Sequence, residues 1–401
     1  MKILVLNSGS SSIKYQLFDM RDESVLAAGS VEQIGEPGSH LSHYVRTPLA
    51  EMEKTIRTLP IPDHRQGFEL ISAILRETGA LADTGELRGI GHRVVHGGEQ
   101  FKDPARVTPA VLAAIRALIP LAPLHNPANL LGMEVAMETA PSVPQVAVFD
   151  TAFHQSIPPH AYRYAIPKRL YETHQVRRYG FHGTSHRYVA KKAAEFLEKP
   201  LNTLNLISLH LGNGASAAAI QQGRCIDTSM GFTPLEGLIM GTRCGDLDPA
   251  IIFYLARETG LSSGEIEAIL NKESGLKGIC GVNDMRTIGE MAGSGNAEAQ
   301  LAVAMYCYRI KKYIGAYQAV IGELDGLIFT GGIGENADFI RAGCCENLAH
   351  LGLEMDNEKN IGRRKGCFAL ENRTSRVKIL VVPTNEELEI AEQTVVCLGA
   401  E

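Results

Sequence analysis

The sequence predicts an α/β protein with more than one domain. Three observations carry that expectation. Runs rich in branched apolar residues recur along the chain, capped helical stretches alternate with them, and 401 residues exceed a single core at about 150 residues per domain.

The strand-like runs are Lys2 to Leu6, Ile13 to Phe18, Val146 to Phe149, Leu204 to Leu209, Gly326 to Thr330 and Val377 to Val382, most of them followed by Gly, Ser, Asn or Asp. Gly35 to Asp63 is Pro-containing, polar and aperiodic, which predicts a surface excursion. Thr108-Pro109 reads as a cap with Pro at the first helical position, and Asp248-Pro249 repeats the device before a run that stops at Gly260. Thr384 or Asn385, followed by Glu386 and Glu387, opens a last capped helix. One weak internal repeat is present. Ile3 to Phe18 and Leu206 to Ile220 both read strand, small-residue turn, strand, which suggests either two related domains or two unrelated hairpins.

With 45% hydrophobic and 21% charged residues the composition is that of an ordinary soluble globular protein. The 39 Lys and Arg against 45 Asp and Glu leave a net charge of -6, so a nucleic-acid-binding surface is not expected. All eight cysteines lie from Cys225 onward without a C-x-x-C spacing, which argues against a disulfide framework or zinc ribbon and for a reducing cytoplasm. The apolar run Ile3 to Leu6 ends at Asn7-Ser8-Gly9, too short for a signal peptide, and residues 201–223 hold polar groups unsuited to a membrane span. The 40 glycines exceed the usual share and belong in turns or close approaches.

Three Gly-rich turns follow strands: Asn7-Ser8-Gly9-Ser10-Ser11-Ser12-Ile13-Lys14, His210-Leu211-Gly212-Asn213-Gly214-Ala215-Ser216 and Thr330-Gly331-Gly332-Ile333-Gly334-Glu335-Asn336. Such turns let backbone N–H groups converge on an anion, with Ser hydroxyls and Lys14 as further donors. No Gly-Lys dipeptide exists, so no Walker-type loop is available. Loose G-x-G-x-x-A matches at Gly212 and Gly332 keep a dinucleotide site open. Arg93 and Arg243 sit beside glycines, where a guanidinium fork meets phosphoryl or carboxylate oxygens with little steric cover. His92/His96 and His182/His186 are each four apart but lack the Glu of a zinc hydrolase motif. Gly260 to Gly264 matches G-x-S-x-G but follows a helical run rather than a strand. Asp150, at the end of an apolar strand, is either a Mg²⁺ ligand or base, or a helix cap.

Ten ordered runs resemble the acetate kinase, or acetokinase, family of acyl kinases over essentially the whole chain: ILVLNSGSSSIKYQLFD, GHRVVHGG, PLHNPANL, VFDTAFH, YGFHGTSH, LHLGNGAS, MGFTPLEGLIMGTRCGDLDP, GVNDMRT, IFTGGIGEN and VPTNEEL. The resemblance implies two duplicated actin-like, ribonuclease H-like ATPase domains of the ASKHA superfamily around a central cleft. Residues 1–150 with 385–401 would form the N-terminal domain and 151–384 the nucleotide-binding domain. It further implies reversible phosphoryl transfer from ATP to acetate, giving acetyl phosphate and ADP, with Mg²⁺ (Mn²⁺ as an alternative), in a cytoplasmic homodimer.

By the family's pattern Asn7 and Glu386 hold the metal, and Asp150, His182 and Arg243 are catalytic. Arg93 and His125 contact acetate, while Val95, Leu124, Phe181 and Pro234 wall its methyl group. Nucleotide contacts fall to Lys14, to His210, Leu211, Gly212, Asn213 and Gly214, to Asp284, Met285 and Arg286, and to Gly331, Gly332, Ile333, Gly334 and Glu335. With that assignment Gly9, Gly97, Gly98, Gly212, Gly214, Gly331, Gly332 and Gly334 are expected where phosphate or substrate approaches. Competing expectations are a propionate or butyrate kinase, an actin-like nucleotide-binding module, and a dehydrogenase built on the G-x-G-x-x-A turns.

Overall fold

In a computed structural model of the chain, which describes residues 1–47, 49, 51–362 and 364–399, the branched apolar runs become two mixed sheets. The first holds β1 (Lys2–Ser8), β2 (Ser12–Asp19), β3 (Ser24–Glu32), β4 (His40–Arg46), β5 (Met52–Thr58), β6 (Leu87–Val94), β7 (Ala105–Arg106) and β8 (Gln145–Phe149), in the order β5-β4-β3-β2-β1-β6-β8-β7. The second holds β9 (Asn205–Leu211), β10 (Ala215–Gln221), β11 (Arg224–Thr228), β12 (Gly326–Thr330), β13 (Phe368–Ala369) and β14 (Lys378–Val381), in the order β11-β10-β9-β12-β14-β13.

Both sheets contain the same five-strand core. In β3-β2-β1-β6-β8 and in β11-β10-β9-β12-β14, two antiparallel pairings are followed by two parallel ones. The weak repeat of two hairpins is therefore the visible part of a duplicated actin-like, ribonuclease H-like fold. The chain separates into two compact units, Met1–Ala152 with the segment from Asn385, and Phe153–Thr384. The break falls after Ala152 rather than after Asp150; Ala400 and Glu401 of the returning segment lie outside the described residues.

Gly35 to Asp63 is not an irregular excursion. It contributes β4 and β5, which pair antiparallel and extend the first sheet at its edge. The misreading has a physical cause, because β5 (Met-Glu-Lys-Thr-Ile-Arg-Thr) is an edge strand whose exposed charges erase the period-2 signal. Pro48 and Ala50 of this segment lie outside the described residues.

In the first unit Leu4, Leu6, Ile13, Tyr15 and Leu17 pack with Phe68, Ile71, Ile74 and Leu75 of helix His64–Glu77. That helix starts where Asp63 accepts from the Gln66 N–H. The opposite support is helix Glu386–Gly399, capped by Asn385 and packed on β1, β6 and β8. In the second unit helices Gly183–Phe196 and Ala297–Ile321 pack on β9. The expected cap is present at Thr108, which accepts from the Val111 N–H before Pro109–Ala117. At Ala250–Thr259 the N-cap is Pro249 rather than Asp248, whose side chain accepts from the Ala250 N–H, and the helix ends as expected at Gly260 in the left-handed region. Ser262 is the cap of a capping box with Glu265, not a nucleophile.

Candidate active site

In the first unit β1, β6 and β8 are neighbouring parallel strands, so their carboxyl ends lie side by side, where ligands of open α/β sheets bind. Each end carries one expected site residue: Asn7 on β1, Arg93 on β6, and Asp150 directly after β8. The Arg93 guanidinium donates from Nε to Asp150 Oδ1 at 3.3 Å and pairs through Nη2 with Oδ2; its Nη1 reaches Asn7 Oδ1 at 3.5 Å. The Asp150 N–H donates to the Val94 carbonyl, so backbone pairing sets this geometry.

Glu386 opens the helix that packs behind these strands. Burial, offset in part by Arg93 and reinforced by Asp150 and Glu387, pushes its carboxyl up to about 7. Burial by itself would lower Arg93, yet Asp150 and Glu386 hold it above its ordinary value. Lys14, opposite Asn7 in the β1–β2 register, also acts on Glu386. It belongs to this cluster and does not line the second-unit cavity described below.

The run PLHNPANL has a supporting role that the sequence did not reveal. Asn129 accepts from the Val95 N–H and donates to the Ser8 carbonyl, and Asn126 bonds both backbone groups of His96. These amides tie the ends of β1 and β6 together. Val95 is buried, whereas Leu124 and His125 are exposed in the turn before helix Asn126–Thr139, Leu124 at 73%. Gly97 and Gly98 lie against side chains of their own unit. A Cβ there would strike Phe149 and Phe101, or Leu118, so both glycines serve packing.

In the second unit His182 holds a left-handed backbone, φ 57°, at the start of helix Gly183–Phe196. A bulky residue there is strained, a cost that recurs at functional positions. Its Nδ1 bonds Ser216 Oγ at 2.9 Å, and its ring lies 4.3 Å from that of His210. A Cβ on Gly214 would lie 3.3 Å from His182 Cε1 and 3.8 Å from Arg243 Nη1, so the bare backbone of the β9–β10 turn brings these two side chains to one place. Arg243 Nη1 donates to the Pro234 carbonyl at 3.1 Å, and burial lowers the guanidinium from its ordinary value. Phe181 is buried beside His182, its carbonyl accepting from His154.

A cavity of about 560 Å³ in the same unit is lined by Gly212, Asn213, Asp284, Met285, Arg286, Gly332 and Ile333, all expected nucleotide contacts. Asn283, Asn336, Ala337 and Phe339 also line it. The two asparagines stood inside the matched runs without an assigned role, Ala337 closes the loose G-x-G-x-x-A match at Gly332, and Phe339 had no sequence signal. Asn283 Nδ2 donates to Asn213 Oδ1 at 3.2 Å, and Asp284 caps helix Met285–Gly293. His210, Leu211, Gly214, Gly331, Gly334 and Glu335 are not lining residues and support the wall instead.

Of the three Gly-rich turns, the third is a correction, since Gly331–Asn336 is a short helix that follows β12. Gly331, at φ 75°, turns the chain where a Cβ would lie 2.8 Å from the Leu211 carbonyl oxygen. Glu335 Oε1 accepts from the N–H groups of Gly331 and Thr384. The His92/His96 pair is not helical either; His92 is buried in β6 and donates to Gln145.

Among the described residues no group of three or more His, Cys, Asp or Glu side chains is placed to hold a metal ion. The amide oxygen of Asn7 and the raised carboxyl of Glu386 are hard oxygen donors, which suit a cation that keeps most of its own waters, as Mg²⁺ does.

Comparison with known proteins shows the family. The model of the Acetokinase family matches residues 2–392. The acetate kinase of Syntrophobacter fumaroxidans is 55% identical over 396 residues, covering 98% of this chain and 96% of that protein. Among solved structures, Porphyromonas gingivalis acetate kinase superposes with a TM-score of 0.94 at 45% identity, covering 99% of each chain. A propionate kinase from Francisella tularensis reaches 0.91 at 42%, covering 98% of each. The chain belongs to the acetokinase family.

Proposed function

We propose that the chain transfers a phosphoryl group reversibly from ATP to acetate, giving acetyl phosphate and ADP by direct in-line displacement, with Mg²⁺ or Mn²⁺. The observation that carries this reading is the first-unit cluster, a guanidinium pinned by a buried carboxylate at the ends of parallel strands, in a chain 55% identical to an acetate kinase.

Acetate is ionised at neutral pH, its pKa being about 4, so no strong base is needed and Asp150 serves to orient Arg93. Arg93 and His125 receive the carboxylate. His182 and Arg243 stabilise charge on the equatorial oxygens of a loose transition state, which asks for positioning more than covalent help. Asn7 and Glu386 would hold the metal ion, which screens repulsion between the carboxylate and ATP. The cavity residues Gly212, Asn213, Asp284, Met285, Arg286, Gly332 and Ile333 hold the nucleotide, Phe339 offering a surface for the base and Lys14 a charge for the phosphates. Val95, Leu124, Phe181 and Pro234 wall the acyl group. A second reading, propionate as the preferred acid, is favoured by the similarity to a propionate kinase.

Further support comes for a cytoplasmic homodimer. All eight cysteines are free, as in a reducing compartment. Exposed Ile251, Phe253 and Tyr254 on one helix, with Leu301, Met305 and Tyr308 at helical spacing on another, offer an apolar face to a second copy. Light scattering on the purified protein measures that state.

The decisive experiment is hydroxylamine trapping with ATP, Mg²⁺ and either acid, on the intact protein and on Arg243→Ala. Acetyl hydroxamate in excess of propionyl hydroxamate is expected, with a large fall in kcat and a modest change in acetate KM for the variant. No hydroxamate from the intact protein would sink the reading.

A further inference from the structure

Ser208, His210 and Ser216 lie on one face of the β9–β10 ribbon, because 208 and 210 are two apart and 216 is directly opposite 210. Helix Gly183–Phe196 packs on β9, and positions 182 and 186, four apart, face the ribbon together. The result is a linear chain of buried groups. Ser208 Oγ meets His186 Nδ1, His186 Nε2 lies 2.8 Å from Ser216 Oγ, and Ser216 Oγ lies 2.9 Å from His182 Nδ1. The four-residue spacing of His182 and His186 thus brings two imidazoles onto one hydroxyl.

Proton counting gives the chain a direction. Ser208 is fully buried, and His186 Nδ1 is its hydroxyl's hydrogen-bond partner among the described residues. Were His186 to donate from Nδ1, the Ser208 proton would be left buried without an acceptor, at about 1–3 kcal/mol. Ser208 therefore donates to Nδ1. Burial, with His154 and His210 nearby, holds His186 well below its ordinary value, so its ring is neutral and its one proton sits on Nε2. Nε2 donates to Ser216, whose own proton is then directed at His182 Nδ1.

We propose that Ser208, His186 and Ser216 are positioning residues that hold neutral His182 as the tautomer with its proton on Nε2, the nitrogen presented as a donor to the transferred phosphoryl group. The inference rests on the reading of His182 as a phosphoryl contact. A ring in the other tautomer would turn a lone pair toward the phosphoryl oxygens and repel them.

The test is a ¹⁵N spectrum of the histidine-labelled, full-length protein at about pH 8, where an unperturbed imidazole is neutral, together with the kinetics of Ser216→Ala and His182→Ala. A protonated Nε2 and unprotonated Nδ1 at His182 are expected in the unsubstituted protein. Ser216→Ala should mix the tautomers and lower kcat by about tenfold or more, with KM for ATP and acetate held within about threefold. Full kcat in His182→Ala would remove the phosphoryl-contact reading. An impaired His182→Ala beside a Ser216→Ala of undiminished kcat would overturn the positioning inference alone. The spectrum decides even if Ser216→Ala does not fold, since a proton on Nδ1 of neutral His182 overturns the proposal directly.

Discussion

Replacing Gly91 by Ala tests whether the close seating of the C-terminal helix on β6 places Glu386. A Cβ at Gly91 would lie 2.4 Å from Thr394 Oγ1 and 2.9 Å from Ile390 Cγ2, while ordinary contacts are about 3.5–4.0 Å. The Thr394 hydroxyl cannot swing away without cost, because it donates to the Ile390 carbonyl at 2.7 Å. The helix must then retreat by roughly 1 Å, at about 1–3 kcal/mol of overpacking strain. Glu386 begins the same helix and moves with it. Misplacement by about 1 Å can cost on the order of a hundredfold in rate, so a fall in kcat of about 10- to 100-fold is expected.

The assay is initial-rate hydroxamate formation across a Mg²⁺ titration, with ATP affinity measured separately by calorimetry. The Mg²⁺ needed for half-maximal rate should rise, and ATP affinity should hold, because the cavity proposed for the nucleotide is lined by residues of the other unit. Adding Thr394→Ala makes room for the methyl group and should recover most of the loss, with a coupling of at least about 1 kcal/mol. Unchanged kcat and melting temperature in Gly91→Ala would refute the reasoning. So would an equal loss of ATP affinity, since the effect would then be global.

Other outcomes follow from single contacts. Gly241→Ala would place a Cβ 2.0 Å from Asn213 Oδ1 and displace that cavity residue, so KM for ATP should rise roughly 5- to 30-fold at unchanged acetate KM; equal changes in both constants would count against it. Val95→Ala should raise the propionate-to-acetate ratio of kcat/KM by roughly tenfold, one methylene being worth about 1–3 kcal/mol, and a constant ratio would remove Val95 from the acyl wall. Burial pushes His92 down to about 4, against an opposing hydrogen bond to Gln145. Folded His92 stays neutral while the unfolded chain takes up a proton below about pH 6.5, so this stability is complete above that pH and is lost as pH falls toward 4. Urea unfolding should show about 2 kcal/mol lost between pH 7 and pH 5 that His92→Gln does not lose; parallel slopes would disprove the assignment.

Where side-chain chemistry alone identifies a role, the sequence was legible. Strands β1, β2, β8, β9, β12 and β14 announce themselves through branched apolar runs, because buried central strands carry a continuous signal. Edge strand β5 and its neighbour β4 do not, since much of their surface belongs to water. Cap residues Thr108 and Asn385 were readable because a cap is a local hydrogen bond. The packing at Gly97 and Gly98 was not readable, because a glycine that admits a ligand and one that admits Phe149 look alike in one dimension.

By itself the sequence determined the α/β class and showed two similar hairpins, because strand periodicity is a local property; Asn7, Arg93, Asp150, His182, Arg243 and Glu386 were singled out together through the resemblance of their motifs to the acetokinase family. Only the tertiary structure decided which of these share a site. It set Arg93 on Asp150 through the parallel pairing of β6 and β8, and His182 beside Arg243 across a bare Gly214. It also turned the four-residue spacing of His182 and His186 into a hydrogen-bonded chain whose direction is set by Ser208. Those facts depend on register and burial between residues far apart in the chain, and no short window of sequence contains them.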